Sequence, residues 1–331
     1  IAFSMKTRSV GAFATERVSR LLVPLLAGCV LFVLPQVWVE RHAHGAAGRY
    51  SPIDFDGSLL AFAPSFFECC YPQANFSWHH LWFLAYLFSY SLALLPLLLL
   101  ARRAELASAL SHGAARMNTV PRLLLLGLPL LAIEWRLRPL FPSTHALAGD
   151  WANHAHFGYL VLLGWWLARS ETPFSTAASA WPALMGTACA LGLLWLAAPW
   201  WAAAVPAQGR GGVMVVLRVC GEWIWILALL GLAYRFLARP GWLAPFSRYA
   251  LPFYVIHQAL IVAMGGLWLA WVALPWLKAL AVAGVAGVGT MALCRLADRY
   301  TITRWALGIK ARAGHRGPPV RSAPADSLGR L

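Results

Sequence analysis

The stretch Leu21–Val39, LLVPLLAGCVLFVLPQVWV, contains no charged side chain, and Arg17 and Arg20 stand just ahead of it. An α-helix needs about 20 mostly apolar residues to cross the hydrocarbon core of a bilayer. This run is therefore read as a membrane-crossing helix with a basic entrance. The rest of the chain repeats the pattern. Of 331 residues, 60% are hydrophobic and only 12% charged, whereas a soluble domain carries about a quarter charged residues. Eighteen Trp point the same way, because indole rings favour the headgroup region. The expected fold is an all-α, polytopic integral membrane bundle with about eight crossings.

Working outward, a polar stretch from Glu40 to His79 follows the first span. It is too long for a tight turn, so an external loop with short structure of its own is expected. Further apolar runs cover Leu81–Ala101, a segment from Val120 to Glu134, and a segment ending near Arg169. Four more cover Ala177–Val205, Val213–Leu237, Tyr249–Leu274 and Ala279–Leu293. Residues 1–310 form the transmembrane domain on this reading, and the Gly-, Pro- and Arg-rich tail at 311–331 is read as disordered. Most Lys and Arg fall on one side if the residues before the first span are cytoplasmic, so the positive-inside rule sets that orientation. It places the protein in the cytoplasmic (inner) membrane. The net charge of +15 lies in short loops and forms no continuous basic face, which argues against a nucleic-acid partner. Six scattered cysteines show no metal-ligand spacing, and no metal is expected.

Ionisable residues inside hydrocarbon are costly and ask for a partner or a role. Arg218 and Glu222, four apart, share a helix face and can pair. They are read either as a structural ion pair facing the bundle interior or as the lining of a polar cavity. Glu134, Arg136 and Arg138 sit at the outer end of the third run and are read as interface anchors, with contact to an anionic acceptor as the other reading. A rise of about 1.5 Å per residue puts His257 roughly 13 Å into its span, near mid-membrane. His79 and His80 lie where the second span meets the outer loop, beside Trp78 and Trp82. A neutral imidazole can take or pass a proton near neutral pH. Arg17 and Arg20, three apart, project from one side of a helix, where two guanidinium groups can hold phosphate oxygens.

Three segments, in this order, resemble acyltransferase family 3 of the membrane O-acyltransferases, which includes O-antigen acetylases and glucan-modifying enzymes. They are ERVSRLLVPLL at Glu16–Leu26, HHLWFLAYLFSYSL at His79–Leu92 and SRYALPFYVIHQALIV at Ser247–Val262. DWANHAHFGYLVLLGWWLAR at Asp150–Arg169 is similar to the same family. The His-Leu-Trp-Phe-Leu segment is close to the glucan-modifying branch, because the Glu that O-antigen enzymes carry shortly after this point is absent. The family's first helix, with an Arg and a His, is not seen here, and the opening IAFSMKTRS reads as the end of a helix already under way. An N-terminally incomplete chain is expected.

The resemblance implies transfer of an acyl group from cytoplasmic acyl-CoA, acetyl- or succinyl-CoA, to a hydroxyl of an extracytoplasmic glycan. Arg17 and Arg20 would hold the CoA phosphates, and His257 and His80 would support catalysis. Trp82, Arg218 and Glu222 would face the acceptor. The expected partners are acyl-CoA, the glycan and the lipid bilayer. Two other readings stay open: a transporter or export component for lipid or glycan, and a non-catalytic membrane partner.

Overall fold

The structure is a computed structural model and describes residues 9–42, 55–71, 73–237, 244–264 and 274–310. The tail at 311–331, part of the outer loop at 43–54 and the later part of the seventh expected span lie outside the described residues. No strand occurs among the described residues. That is the expected result for apolar runs this long, because a helix satisfies its backbone hydrogen bonds internally and needs no water.

Among the described residues, twelve helices of six or more residues make the framework. They are α1 Val10–His42, α2 Trp82–Ala93, α3 Leu95–Leu100, α4 Ala104–Ala115, α5 Val120–Arg136 and α6 Trp151–Leu167. Then follow α7 Thr172–Ser179, α8 Trp181–Leu196, α9 Ala207–Leu237, α10 Ala250–Ala263, α11 Pro275–Ala297 and α12 Thr301–Ala306. Among the described residues, α1, α9 and α11 are long and apolar enough to cross a membrane. The number rises to five if α4 with α5 (bent by 116°) and α7 with α8 (bent by 70°) each count as one crossing. The expected second span is divided, the fourth is short, and of the seventh only the part up to Met264 lies among the described residues. Leu81–Ala101 is divided at Leu94 between α2 and α3, and α6 and α10 run 17 and 14 residues.

Helix α1 widens into π-helical turns at Val18–Leu22 and Cys29–Val33. Each lies just before a proline, Pro24 or Pro35, which has no N–H to donate to the carbonyl four residues earlier. The ladder absorbs that loss by opening one turn, a common cause of local bending.

Two hydrophobic cores organise the bundle. The first joins α1, α2 and α10 with the ends of α11 and α12, through Val33, Val37, Leu84, Tyr86, Val255, Ile256 and Cys294. The second joins α5 to α9 through Leu123, Leu130, Leu163, Leu184, Trp223 and Leu227. Helix α6 serves both: Phe157 packs on the first core, and Leu163 and Leu167 belong to the second. Polar side chains collect along this seam.

The segment between α1 and α2 has short local structure, with helical turns at Leu59–Phe62 and Ser65–Phe67. Buried Arg41 at the end of α1 holds it down, donating to Asn75 Oδ1 (3.0 Å) and to the Ala74 carbonyl (2.6 Å). Trp38 Nε1 adds a bond to the Gly57 carbonyl (2.9 Å). Arg41 thus ties the segment after α1 to a helix end and adds nothing to a charged surface.

Candidate functional site

The first polar group is an imidazole pair in the first core. His79–Leu81 form a 3-10 turn ahead of α2, and His79 has a positive φ of 39°. His79 is held by Ser77, whose Oγ lies 3.1 Å from Nδ1, and by Glu40, 3.3 Å from Nε2. The turn directs His80 inward, where its ring centroid lies 5.4 Å from that of His257 on α10. Close approach of α1 encloses the pair. A Cβ at Gly28 would meet Leu81 at 2.6 Å and Val255 at 2.9 Å, so only a residue without a side chain lets α1 pack here.

The bonds of the two rings fix their tautomers. His80 Nε2 lies 3.1 Å from the Val255 carbonyl, and His257 Nδ1 lies 2.8 Å from that of Tyr254. A carbonyl only accepts, so each of these nitrogens carries the proton. In the neutral ring the other nitrogen then carries a lone pair. His80 Nδ1 is buried with no hydrogen-bond partner among the described residues. The Tyr254 hydroxyl donates to the His80 carbonyl and fixes the turn.

The second polar group is dense in charge. Glu134 on α5, 1% exposed, accepts from Arg138 through both oxygens at 3.0 and 2.8 Å, and also from Arg218 on α9. His156 on α6 lies between two carboxylates, with Nδ1 3.0 Å from Glu134 and Nε2 2.7 Å from Glu222. Arg138, just past the end of α5, continues the network to Asn153 Oδ1 at 2.7 Å. These residues, with Ser143, His145 and Phe157, line a cavity of about 380 Å³.

Asp150, at the start of α6, accepts from the Tyr86 hydroxyl (2.6 Å), from Asn153 Nδ2 (2.8 Å) and from the His145 N–H (2.8 Å). Burial favours the neutral carboxyl, but these donors outweigh it and hold Asp150 below its ordinary value. Trp82 lies between the two polar groups. One residue after the His80-Leu81 pair, its ring centroid is 4.4 Å from that of His145 and 5.0 Å from that of Phe157, both of which line the cavity.

His80 and His257 thus come together, and Trp82, Arg218 and Glu222 gather at or beside one cavity. Arg218 and Glu222 do not pair with each other as the four-residue spacing suggested. Arg218 turns to Glu134 and Glu222 to His156, so both line the cavity. The interface-anchor reading of Glu134 and Arg138 also fails, since Glu134 is buried at the centre of the network. Arg136, by contrast, is exposed. Arg17 and Arg20 lie elsewhere. They flank Glu16 at 3.3 and 3.8 Å, and Arg17 also stacks 4.8 Å over Phe13. With about 1.5 Å of rise per residue, Arg17 is roughly 16 Å down α1 from Gly28 and the imidazole pair. Sequence reasoning missed His156, Asp150 and Tyr86. The signal for His156 was an Asn-His-Ala-His run leading into an apolar helix.

A bundle of apolar helices, with a half-buried imidazole pair in its first core and a charged cavity nearby, defines a multi-pass membrane protein built around a polar site. The acyltransferase domain model matches residues 2–297, and the chain belongs to acyltransferase family 3. It is a membrane acyltransferase, transferring groups other than aminoacyl groups. No curated protein and no solved structure gives a match.

Proposed function

We propose that this acyltransferase takes an acyl group from acyl-CoA on the cytoplasmic face and passes it to a glycan hydroxyl on the opposite face, within the cytoplasmic membrane. The observation that supports this reading is the meeting of His80 and His257, each tied to a backbone carbonyl by one ring nitrogen and left with a lone pair on the other. A hydroxyl is a weak nucleophile at neutral pH, and a positioned base raises its reactivity. His80 Nδ1 takes the hydroxyl proton as the oxygen attacks the thioester carbonyl. The new C–O bond forms, the C–S bond breaks, and the proton passes to the departing CoA sulfur. His257 lines the passage and orients the acyl group.

Arg17 and Arg20 hold the CoA phosphates, an assignment supported by their common position around Glu16 at one end of α1. Trp82, Arg218 and Glu222 take the acceptor. An indole covers the C–H face of a sugar, a carboxylate accepts from its hydroxyls, and a guanidinium donates to them. The sequence of the α2 segment favours a glucan-type acceptor, and acetyl- or succinyl-CoA is the donor class. Family membership selects the enzyme over the transporter and the non-catalytic partner.

The test is acyl transfer in reconstituted vesicles with labelled acetyl-CoA and a glucan acceptor. His80→Ala is expected to lower kcat by about 10²- to 10⁴-fold, the usual worth of a general base. Arg17→Ala with Arg20→Ala is expected to raise the donor KM roughly tenfold or more, as charge-assisted bonds are lost. An unchanged donor KM removes the arginines from the donor site, and an unchanged kcat in His80→Ala removes the base.

A further inference from the structure

On the other side of α9 from the charged cavity, α8 and α9 enclose an apolar groove of about 780 Å³, walled by Trp135, Leu191, Leu194, Val213, Val216 and Leu217. At about 30 Å³ per water molecule the space is far too large to be a packing defect, and its walls offer water almost nothing to bond. A Cβ at Gly209 would meet nothing within 4 Å, so bare backbone forms part of its wall. Leu191 and Leu217 also line a second space of about 220 Å³, whose other walls are Trp195, Trp225, Arg218 and Glu222. Arg218 and Glu222 line the charged cavity too. Three spaces thus follow one another along α9, from wholly apolar, through aromatic and polar, to charged.

We infer that this succession binds an amphiphile: a glycan carried on a hydrocarbon chain. The chain lies in the α8–α9 groove, and the sugar lies between the two tryptophans at Arg218 and Glu222. The inference rests on the glycan reading above and narrows it, because a water-soluble glycan has no use for the groove. The head group follows from charge. Arg138 and Arg218 share the charged cavity with two carboxylates, Glu134 and Glu222, so the guanidinium charges are matched in number. An anionic phosphate would meet Glu222 and no excess of guanidinium charge. A neutral polyhydroxyl head meets an acceptor, a donor and two indole faces, the usual surroundings of a bound sugar.

The probe is a dodecyl β-glucoside with a diazirine on its chain, photolysed with the whole protein in vesicles of phosphatidylethanolamine and phosphatidylglycerol. The labelled peptides are then identified by mass spectrometry. Label is expected on the α8 and α9 groove, and Val216→Trp is expected to reduce it at least about fivefold by filling the space. Gly209→Trp gives a second variant, at a position where a side chain meets no neighbour, should the first fail to fold. A diazirine-bearing phosphatidylglycerol is expected to label the groove much less. Equal labelling by that phospholipid, or glucoside label spread over the lipid-facing side of α11 and unaffected by both variants, overturns the inference. Groove labelling without any acyl transfer to the glucoside would sink the proposed reaction and leave this site standing.

Discussion

The Glu134–His156–Glu222 cluster and the His80–His257 pair lie in one bundle and bury polar groups by opposite means. In the cluster, ionised groups on three helices and one connection answer one another, and Glu134 alone is bonded by Arg138, Arg218 and His156. In the pair each imidazole is held by a backbone carbonyl, and His80 Nδ1 has no hydrogen-bond partner among the described residues. The difference separates two tasks. A network in which each charged side chain has an opposite partner holds α5, α6 and α9 together, while an unpartnered nitrogen in a held ring is available for chemistry. Removing one member should therefore cost folding stability in the cluster and activity in the pair.

The largest effect on stability is expected from Glu134→Ala. It leaves two guanidinium groups and an imidazole facing one another, and breaking a buried ion pair from one side costs about 3–5 kcal/mol. Thermal unfolding in detergent checks this, and a wild-type midpoint would show that the cluster is not the brace described here. Next comes Tyr86→Phe, which strips a donor from buried Asp150 and costs about 1–3 kcal/mol.

The same site gives a pH dependence. Because Asp150 is held below its ordinary value of 3.8, its contribution is complete above that pH. It is lost as the pH falls through the lower folded-state value. Asp150→Asn should flatten the acid limb of the stability curve, and parallel curves for the two proteins would remove Asp150 as its source. The smallest effect on folding is expected from His257→Ala, about 1 kcal/mol for a neutral hydrogen bond, together with a clear fall in acyl transfer. A large loss of stability with normal specific activity would return His257 to ordinary packing and erase the contrast between the two regions.

Parts of this arrangement were legible in the chain. His257 was singled out as an imidazole near mid-membrane, and His80 as one where a span meets a loop. The spacing of Arg138 four residues after Glu134 contained their ion pair, although both were read with Arg136 as anchors. The partners of His156 and Arg218 were not legible, because Glu222 lies 66 residues from the one and Glu134 lies 84 from the other. For the same reason Arg218 and Glu222 looked like a local pair. Helical spacing brings side chains within reach, but a better-placed partner on another helix outcompetes a neighbour on the same one.

The sequence by itself determined the helical, membrane-embedded character of the protein and the segments that mark its family, because hydropathy and local order are properties of consecutive residues. It also marked out His80 and His257, though not His156. The tertiary structure alone decided that His80 meets His257, that Glu134 gathers two arginines and a histidine, and that an apolar groove runs up to Arg218 and Glu222. Those contacts depend on how helices distant in sequence turn their faces to one another, and no local pattern encodes that rotation.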